Sequence, residues 1–306
     1  MGKALENCTL CPRACGADRT RGPTGFCRTD DQCHIAAICL HRGEEPAISG
    51  PHGICNVFFA HCNMQCVYCQ NYQISDNRSE MPGRPMPIDT IVDRIRELLE
   101  QGATSVGFVS PSHCIPQMRQ IVAALEAEGN RPTVVMNTNA YDTVPTLRTL
   151  ENVVDVYLPD LKYMDRQLAG RLSHAPDYPR AAAAALKEMF RQKGARLERD
   201  SDGIARNGLI VRHLVLPGQT TNSKQCLDFI AHALSPEVYV SLMAQYRPTP
   251  RVGHRHRLSR RIRPEEYREV VRHLDKLGLQ NGWTQERNST DHYVPDFAAA
   301  QPFAVH

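Results

Sequence analysis

Residues 58–71 read Phe58-Phe-Ala-His-Cys62-Asn-Met-Gln-Cys66-Val-Tyr-Cys69-Gln-Asn71, and they close a short apolar run that predicts a strand. The segment places three thiols at Cys-xxx-Cys-xx-Cys spacing directly after that strand. Thiolates this close, with a loop between them, can wrap one [4Fe–4S] cube and leave its fourth iron without a protein ligand. An open iron of this kind can bind a substrate or a cofactor.

The open iron suits S-adenosylmethionine, whose amino and carboxylate groups can chelate it and align the sulfonium for one-electron cleavage. Two alternatives stay open. One is an ordinary electron-transfer cluster, and the other is a zinc site with a further ligand such as Cys55 or His61. The strand-end position, together with Tyr68 before the last cysteine, favours the open cluster.

Short apolar, β-branched runs alternate with segments of helical period from about residue 54 onward, which is typical of parallel βα units. The predicted strands are Cys55–Phe59, Ser105–Val109, Thr133–Met136, Val153–Leu158, Leu209–Leu216 and Val238–Met243. The predicted helices are Thr90–Glu100, Gln117–Glu128, Arg180–Gln192, Lys224–Leu234 and Glu265–Leu277. Six strands predict an α/β fold, a partial (β/α)6 TIM-like barrel, although an open doubly wound sheet fits the same order of elements.

The first 50 residues lack this periodicity and are rich in cysteine, glycine and arginine. We expect residues 1–50 to form a Cys-rich metal-binding extension, and residues 51–306 to form the barrel domain with a C-terminal helix and tail. Four thiols in the extension suffice for a zinc site or a second iron–sulfur cluster: Cys8, Cys11, Cys15 and Cys27. The cysteines without partners at metal spacing are expected to be small buried side chains: Cys33, Cys39, Cys55, Cys114 and Cys226.

The charge balance points to neither a nucleic acid nor an anionic membrane as a partner, because the 306 residues carry a formal net charge of only +3. The N-terminus has no apolar run that could act as a signal peptide, and no stretch approaches about 18 uninterrupted apolar residues. Ten of the twelve cysteines lie between Cys8 and Cys69, which argues against a disulfide framework spread over the fold. We expect a cytoplasmic protein.

A basic run follows the last predicted strand and comprises Arg247, Arg251, His254, Arg255, His256, Arg257, Arg260, Arg261 and Arg263. It could steer an acidic protein or a nucleic acid. Aromatic residues, on which single-stranded nucleic acids stack, are not interleaved between Arg247 and Arg263. We expect a solvated loop or internal ion pairs instead.

The motifs resemble those of the radical S-adenosylmethionine superfamily, and in particular those of the activating enzymes of glycyl-radical enzymes. Three further segments resemble strand ends of pyruvate formate-lyase activating enzyme, within roughly residues 50–245: Met136-Asn-Thr-Asn-Ala140, Tyr157-Leu-Pro-Asp-Leu-Lys162 and Val211-Arg-His-Leu-Val-Leu-Pro-Gly218. A closer likeness, over nearly the whole chain, is to a branch of uncharacterised iron–sulfur homologues of that activase. The branch shares the front block Cys8-Thr-Leu-Cys11-Pro-Arg-Ala-Cys15-Gly and the tail Trp283-Thr-Gln.

The resemblance implies roles for residues around the cluster loop. Tyr68 would lie against the adenine, whereas Lys162 and Arg212 would face the methionyl carboxylate, which needs cationic donors when it is buried.

Two departures from the activase affect further positions. Asp160, Thr138 and Asn137 match residues that hold a monovalent cation in the activase, and Asn137 replaces an aspartate there, which lowers the negative charge. The activase receives the methionyl amino group at a Gly-Gly-Glu strand end, where this chain has Phe108-Val-Ser110-Pro-Ser112-His113. Ser110, Ser112 or His113 would take over that contact.

The activity implied by the resemblance is reductive cleavage of S-adenosylmethionine at the [4Fe–4S] cluster to a 5′-deoxyadenosyl radical that abstracts hydrogen. The first hypothesis is an activase that leaves a glycyl radical on a partner enzyme, with reduced flavodoxin or ferredoxin as electron donor. A second is radical modification of another peptide or a small molecule, because the cysteines specify how the radical is made and not what it attacks. A third is a non-catalytic iron–sulfur or zinc protein.

Overall fold

The computed structural model describes residues 2–129, 131–253, 257–285, 295–299 and 301–303. Within these ranges nine strands form one sheet. The strands are β1 Ile35–His41, β2 Ile54–Phe59, β3 Ser105–Val109, β4 Thr133–Thr138, β5 Val156–Pro159, β6 Glu198–Arg199, β7 Ala205–Leu214, β8 Tyr239–Met243 and β9 Gly282–Thr284. Every residue of β2, β3, β4 and β5 is buried, as expected for parallel strands that are covered on both faces.

Helices connect the parallel strands. The α-helices are α1 Gly2–Glu6, α2 Pro46–Ser49, α3 Tyr72–Ser75, α4 Ile88–Glu100, α5 Ile115–Ala127, α6 Val144–Arg148, α7 Arg166–Ser173, α8 Tyr178–Lys193, α9 Thr220–Phe229 and α10 Pro264–Lys276. A π-helical turn, Ile230–Leu234, continues α9. In α4 the buried face consists of Ile91, Val92 and Ile95, one helical turn apart, and it packs into the main core.

The order of the strands distinguishes the two predicted architectures. Neighbours in the sheet follow chain order, β1-β2-β3-β4-β5-β7-β8-β9, and every pair from β2 onward on this path is parallel. A doubly wound sheet would reverse its strand order at a switch point, and this path contains no reversal among the described strands. The partial TIM-like barrel is confirmed.

Three strands were not predicted. β1 pairs antiparallel with β2 and lies inside the N-terminal 50 residues, where its run of half-buried positions hides the strand pattern. β6 and β9 have two and three residues, too few for a period to be visible. The strand predicted over Val153–Leu158 corresponds to β5, which starts only at Val156. The Val153 and Val154 amides instead donate to the carbonyl of Leu150 and close a turn after α6.

β9 approaches β8 so closely that its first residue has to be glycine. A Cβ added to Gly282 would lie 2.0 Å from the carbonyl oxygen of Val240, and the residue has φ +121°. We therefore expect Gly282→Ala to lower the free energy of unfolding by about 3 kcal/mol or more, because backbone cannot move aside as a side chain can. Gly278→Ala is the control, since its Cβ would meet nothing within 4 Å and its φ of +70° alone should cost about 1–2 kcal/mol. Urea unfolding of both variants measures the difference, and equal losses would contradict the close approach.

The C-terminal residues return to the first strands. Phe297 and Phe303 pack against Phe58 of β2, with ring centroids 5.2 and 5.7 Å away. The described part of the chain contains no helix long and apolar enough to cross a membrane.

Candidate active site

The cysteine loop leaves the carboxyl end of β2, the end at which barrels of this class place their active sites. Cys62 and Cys66 are buried, and Cys69 is half-buried. Asn77 secures the loop, because its side chain accepts from the Cys62 amide at 3.0 Å and donates to the Cys62 carbonyl at 2.8 Å. The three predicted ligands therefore lie on one ordered loop with little solvent access.

Each of the three sulfurs receives a hydrogen bond from another element. The Ser173 hydroxyl at the end of α7 donates to Cys66 Sγ at 3.0 Å, and the Ser75 hydroxyl donates to Cys69 Sγ at 3.3 Å. Asn139, just after β4, points its amide nitrogen at Cys62 Sγ at 3.5 Å. Donors aimed at thiolate sulfurs are what an iron–sulfur cluster requires, so the donor set fits the [4Fe–4S] group.

Burial also influences the protonation of the Cys62 and Cys66 thiols. It raises the pKa of Cys62 to about 12 and raises the pKa of Cys66, while the Lys162 ammonium opposes the rise at both. Metal binding must therefore displace the thiol protons, and the nearby cation favours the thiolates that result.

A chain of hydroxyl groups links the Tyr68 side chain to Cys66 Sγ. The Tyr163 hydroxyl lies 2.6 Å from that of Tyr68 and 2.7 Å from that of Ser173, which in turn donates to Cys66. Tyr68 is buried, and its ring meets Tyr163 edge-on and Tyr246 at a tilt. The predicted contact of Tyr68 with adenine stays a prediction.

Removal of the Ser173 hydroxyl tests this arrangement. We expect Ser173→Ala to make the reduction potential of the bound cluster more negative, because a sulfur that loses a hydrogen bond holds its negative charge less well. The free energy of unfolding should fall by about 1 kcal/mol. Potentiometric titration followed by electron paramagnetic resonance (EPR) measures the shift. Ser79→Ala, which removes an exposed hydroxyl bonded to the Asp76 carbonyl, is the control and should leave the potential unchanged.

Asp160 and its two cationic partners form the polar centre of the site. Asp160 Oδ2 accepts from Lys162 Nζ at 2.6 Å, and Asp160 Oδ1 accepts from Arg212 Nε at 2.8 Å. Burial would raise the pKa of Asp160, but the two cations outweigh it and hold the pKa at about 2. The carboxylate is therefore ionised at neutral pH, and Lys162 is the cation that also faces Cys62 and Cys66.

Arg212 makes more hydrogen bonds within the protein than the sequence suggested. Its Nη1 donates to Glu44 at 2.9 Å and its Nη2 donates to the Asn137 side-chain oxygen at 3.0 Å, in addition to the bond with Asp160. Buried Glu45 also lies in its field, and desolvation raises the pKa of that carboxyl. The guanidinium that was predicted to face a methionyl carboxylate thus already balances protein carboxylates.

The three residues matched to a monovalent cation are arranged around this guanidinium. Asp160 and Asn137 both accept hydrogen bonds from Arg212, whereas the Thr138 hydroxyl donates to buried Asp142. A monovalent cation at this position would compete with Arg212 for the same oxygens. The cation stays a prediction.

The strand end after β3 is mostly buried. Ser110 adopts a left-handed backbone, φ 53°, and its amide donates to the Asn137 carbonyl. The Ser112 hydroxyl lies 3.1 Å from that of Thr138, and His113 Nε2 lies 3.0 Å from the Ala60 carbonyl oxygen. Burial lowers the pKa of His113 to about 3, so its ring is neutral. A contact of these residues with the methionyl amino group stays a prediction.

The four N-terminal cysteines line one cavity. Its lining is Cys8, Leu10, Cys11, Arg13, Ala14, Cys15, Arg19, Phe26, Cys27, Asn63 and His113. Among the residues that the structure describes, no three His, Cys, Asp or Glu side chains converge closely enough for one metal ion, and this holds for both cysteine sets. The five cysteines predicted to be small buried side chains are all buried.

The basic run provides at least one strong internal ion pair. Arg260 contacts both carboxylate oxygens of Glu266, at 2.7 and 2.6 Å, and Arg251 lies 3.8 Å from Asp76. His254, Arg255 and His256 lie outside the described residues.

Several residues of the site could not be found by motif. Ser173, Glu44 and Tyr163 lie far along the chain from the residues they contact, and no spacing marks them. Asn139 did carry a signal, because it stands at the end of the strand segment Met136–Ala140.

Comparisons with known proteins agree with this geometry. The model of the radical SAM superfamily matches residues 56–230. An uncharacterized protein of Methanocaldococcus jannaschii is 29% identical over 290 residues, which cover 90% of this chain and 76% of that protein.

Two solved structures are also similar. A domain of pyruvate-formate lyase-activating enzyme from Bacteroides vulgatus has a TM-score of 0.38 at 16% identity and covers 56% of this chain and 93% of that one. SuiB of Streptococcus suis, bound to S-adenosylmethionine, has a TM-score of 0.47 at 13% identity and covers 74% of this chain and 45% of that one.

The family match spans more than half of the chain and includes the cysteine loop, β2 to β7 and α9. It implies a [4Fe–4S] cluster and S-adenosylmethionine as cofactors, and it makes the chain an enzyme. The chain belongs to the radical S-adenosylmethionine superfamily.

Proposed function

We propose that this protein cleaves S-adenosylmethionine reductively at a [4Fe–4S] cluster held by Cys62, Cys66 and Cys69, and uses the resulting 5′-deoxyadenosyl radical to abstract hydrogen. The observation that carries the proposal is the strand-end loop whose three sulfurs accept hydrogen bonds from Ser173, Ser75 and Asn139. The cluster supplies one electron to the sulfonium when it is bound. The protein supplies the thiolates, their donors and a water-poor surrounding.

The chain's own residues support substrate binding beside the loop. Lys162 offers a cation between Asp160 and the cysteines, where an anionic carboxylate could accept a charge-assisted hydrogen bond. The hydroxyls of Tyr68, Tyr163 and Ser173 form a hydrogen-bonded chain that ends at Cys66 Sγ. These polar groups hold their positions through protein hydrogen bonds, which reduces the entropy lost when a ligand binds.

The experiment is anaerobic reconstitution with iron and sulfide, reduction with dithionite, and chromatography of the products formed from S-adenosylmethionine. Release of 5′-deoxyadenosine and methionine in equal amounts supports the proposal. If a protein with a full complement of iron and sulfide releases neither, the chain is a non-catalytic iron–sulfur protein.

We further propose that the target is a glycyl-radical enzyme and that reduced flavodoxin or ferredoxin donates the electron. The support is the likeness of the strand-end motifs to those of pyruvate formate-lyase activating enzyme, in the segments Met136–Ala140 and Tyr157–Lys162. A partner enzyme incubated with this protein should acquire the EPR doublet of a glycyl radical. If 5′-deoxyadenosine forms while no candidate partner gains the doublet, the target is another peptide or a small molecule.

A further inference from the structure

The four N-terminal cysteines line one cavity, and among the described residues no three of their sulfurs converge on a single point. Cys8 and Cys27 are buried, Cys11 is half-buried and Cys15 is exposed, and all four line the same cavity. The chain turns back on itself to form it, since the Cys8 amide donates to the Ala17 carbonyl and the Gly16 amide donates to the Cys8 carbonyl. Zinc bonds sulfur at about 2.3 Å, so one zinc ion would need the cysteine sulfurs to converge on a single point, and among the described residues no three of them do. An iron–sulfur cluster binds each of four cysteines through a different iron, so its ligand sulfurs stand further apart.

Arg19 provides a second, independent sign that the sulfurs carry negative charge. The side chain is fully buried, and its guanidinium donates to the carbonyls of Thr29, Asp30 and His113, with Cys8 Sγ 3.8 Å away. Across the described residues, no carboxylate accepts a hydrogen bond from it. A buried cation is costly without an anion nearby, and metal-bound thiolates would supply that anion.

Asn63 joins this cavity to the catalytic loop. It stands between two ligands of that loop, it is fully buried, and on one side it lines the cavity together with Cys11. On the other side its oxygen accepts from Asn139 at 2.7 Å, and the same Asn139 nitrogen points at Cys62 Sγ. Arg13 fixes the backbone here by donating to the Asn63 carbonyl at 2.9 Å. Two buried amide side chains thus span the distance between Cys11 and Cys62.

From this arrangement we infer that Cys8, Cys11, Cys15 and Cys27 bind a second iron–sulfur cluster, and that Asn63 and Asn139 place it beside the cluster of Cys62, Cys66 and Cys69. Four cysteine ligands leave no iron open, so this cluster exchanges electrons and binds no substrate. One electron taken from a reduced one-electron carrier reduces it, and no bond or proton has to move. The adjacency rests on the proposed cluster at Cys62, whereas the binding of the second cluster does not.

The first test removes the catalytic ligands and keeps the second set. The variant Cys62→Ala/Cys66→Ala/Cys69→Ala, purified without oxygen or added metal, should retain iron and sulfide in equal amounts, about four of each per chain. Mössbauer spectra identify the form of the iron. One zinc per chain in place of iron, or neither metal in a variant whose circular dichroism matches that of the unchanged protein, overturns the inference.

The second test removes one N-terminal ligand without disturbing the core. Cys15 is exposed, so Cys15→Ala should fold normally while its iron content falls towards that of one cluster. Cys39→Ala, at a buried cysteine of β1 away from the cavity, is the matched control and should keep all its iron. Unchanged iron in Cys15→Ala removes that residue from the proposed ligand set.

The third test addresses the adjacency. Two reduced clusters separated by two amide side chains should couple magnetically, so the EPR spectrum of the reduced protein should be broader than the sum of the two variants' spectra. A simple sum overturns the placement. Since dithionite can reduce the catalytic cluster directly, Cys15→Ala should still release 5′-deoxyadenosine, and loss of the second cluster is thereby distinguished from failure of the proposed function.

Discussion

We expect Cys66→Ser to abolish the release of 5′-deoxyadenosine from S-adenosylmethionine, down to the level of a protein-free control. A serine hydroxyl stays protonated where a thiol ionises, so it cannot replace the sulfur ligand that Ser173 supports. With two cysteines left, the loop no longer retains a cube whose fourth iron is open. Chromatography of the reaction mixture, together with the iron content of the same sample, measures the loss.

Cys39→Ala is the control for this result, because Cys39 is equally buried but lies on β1 among Phe58, Ile74 and Val109. It should release 5′-deoxyadenosine at the rate of the unchanged protein. Product formation by Cys66→Ser at a similar rate would remove Cys66 from the ligand set and would mean that the cluster that cleaves S-adenosylmethionine is held by other residues.

Arg212→Met should lower the free energy of unfolding by about 3–5 kcal/mol, because it removes the cation that pairs with Glu44 and leaves Asp160 with Lys162 alone. Asp160 and Glu44 each lose a direct ion pair, at 2.8 and 2.9 Å. Arg191→Met is the matched control: Arg191 also contacts two glutamates, but half of its side chain is exposed, so the loss should be about 0–1 kcal/mol. Urea unfolding near neutral pH compares them.

The neutralised variant Arg212→Met/Asp160→Asn/Glu44→Gln separates lost charge balance from lost packing. It should recover part of the stability, because the two carboxylates that lost Arg212 no longer carry charge. If the triple variant is no more stable than Arg212→Met, the guanidinium acts through its shape and the electrostatic explanation fails.

The same network predicts how stability depends on pH. The pKa of Asp160 is lowered from 3.8 to about 2, so its contribution is fully present above about pH 4 and is lost as the pH falls from there towards 2. Without Arg212 the effect of burial gains weight and the folded-state pKa rises. The difference in unfolding free energy between the unchanged protein and Arg212→Met should therefore shrink when urea titrations are repeated in increasingly acidic buffer.

The elements that sequence predicts best are those whose environment is uniform along the chain. β2, β3 and β4 are buried on both faces, so each reads as a mostly apolar run, and the cysteine loop follows β2 at the expected end. α4 shows a clear apolar face for the complementary reason, since one side is buried and the other exposed.

The polar network around the cluster could not be predicted in the same way. Ser173 lies 107 residues from Cys66 and Glu44 lies 168 residues from Arg212, and these contacts exist only because α7 and the segment before α2 pack against the strand ends. A serine at a helix end and a glutamate shortly before a helix have ordinary local explanations. Only the packed fold selects the partners of such residues.

The strand order has a consequence for synthesis on the ribosome. Because each parallel strand pairs with one that precedes it in the chain, the growing polypeptide can add its strands in the sequence in which they emerge, with short loops closing first. Phe58 is among the first core residues to leave the exit tunnel, yet Phe297 and Phe303 cover it only after nearly the whole chain has been translated. The outer surface of the first strands therefore stays uncovered throughout elongation, and during that time it is the part of the nascent protein that a chaperone would have to shield.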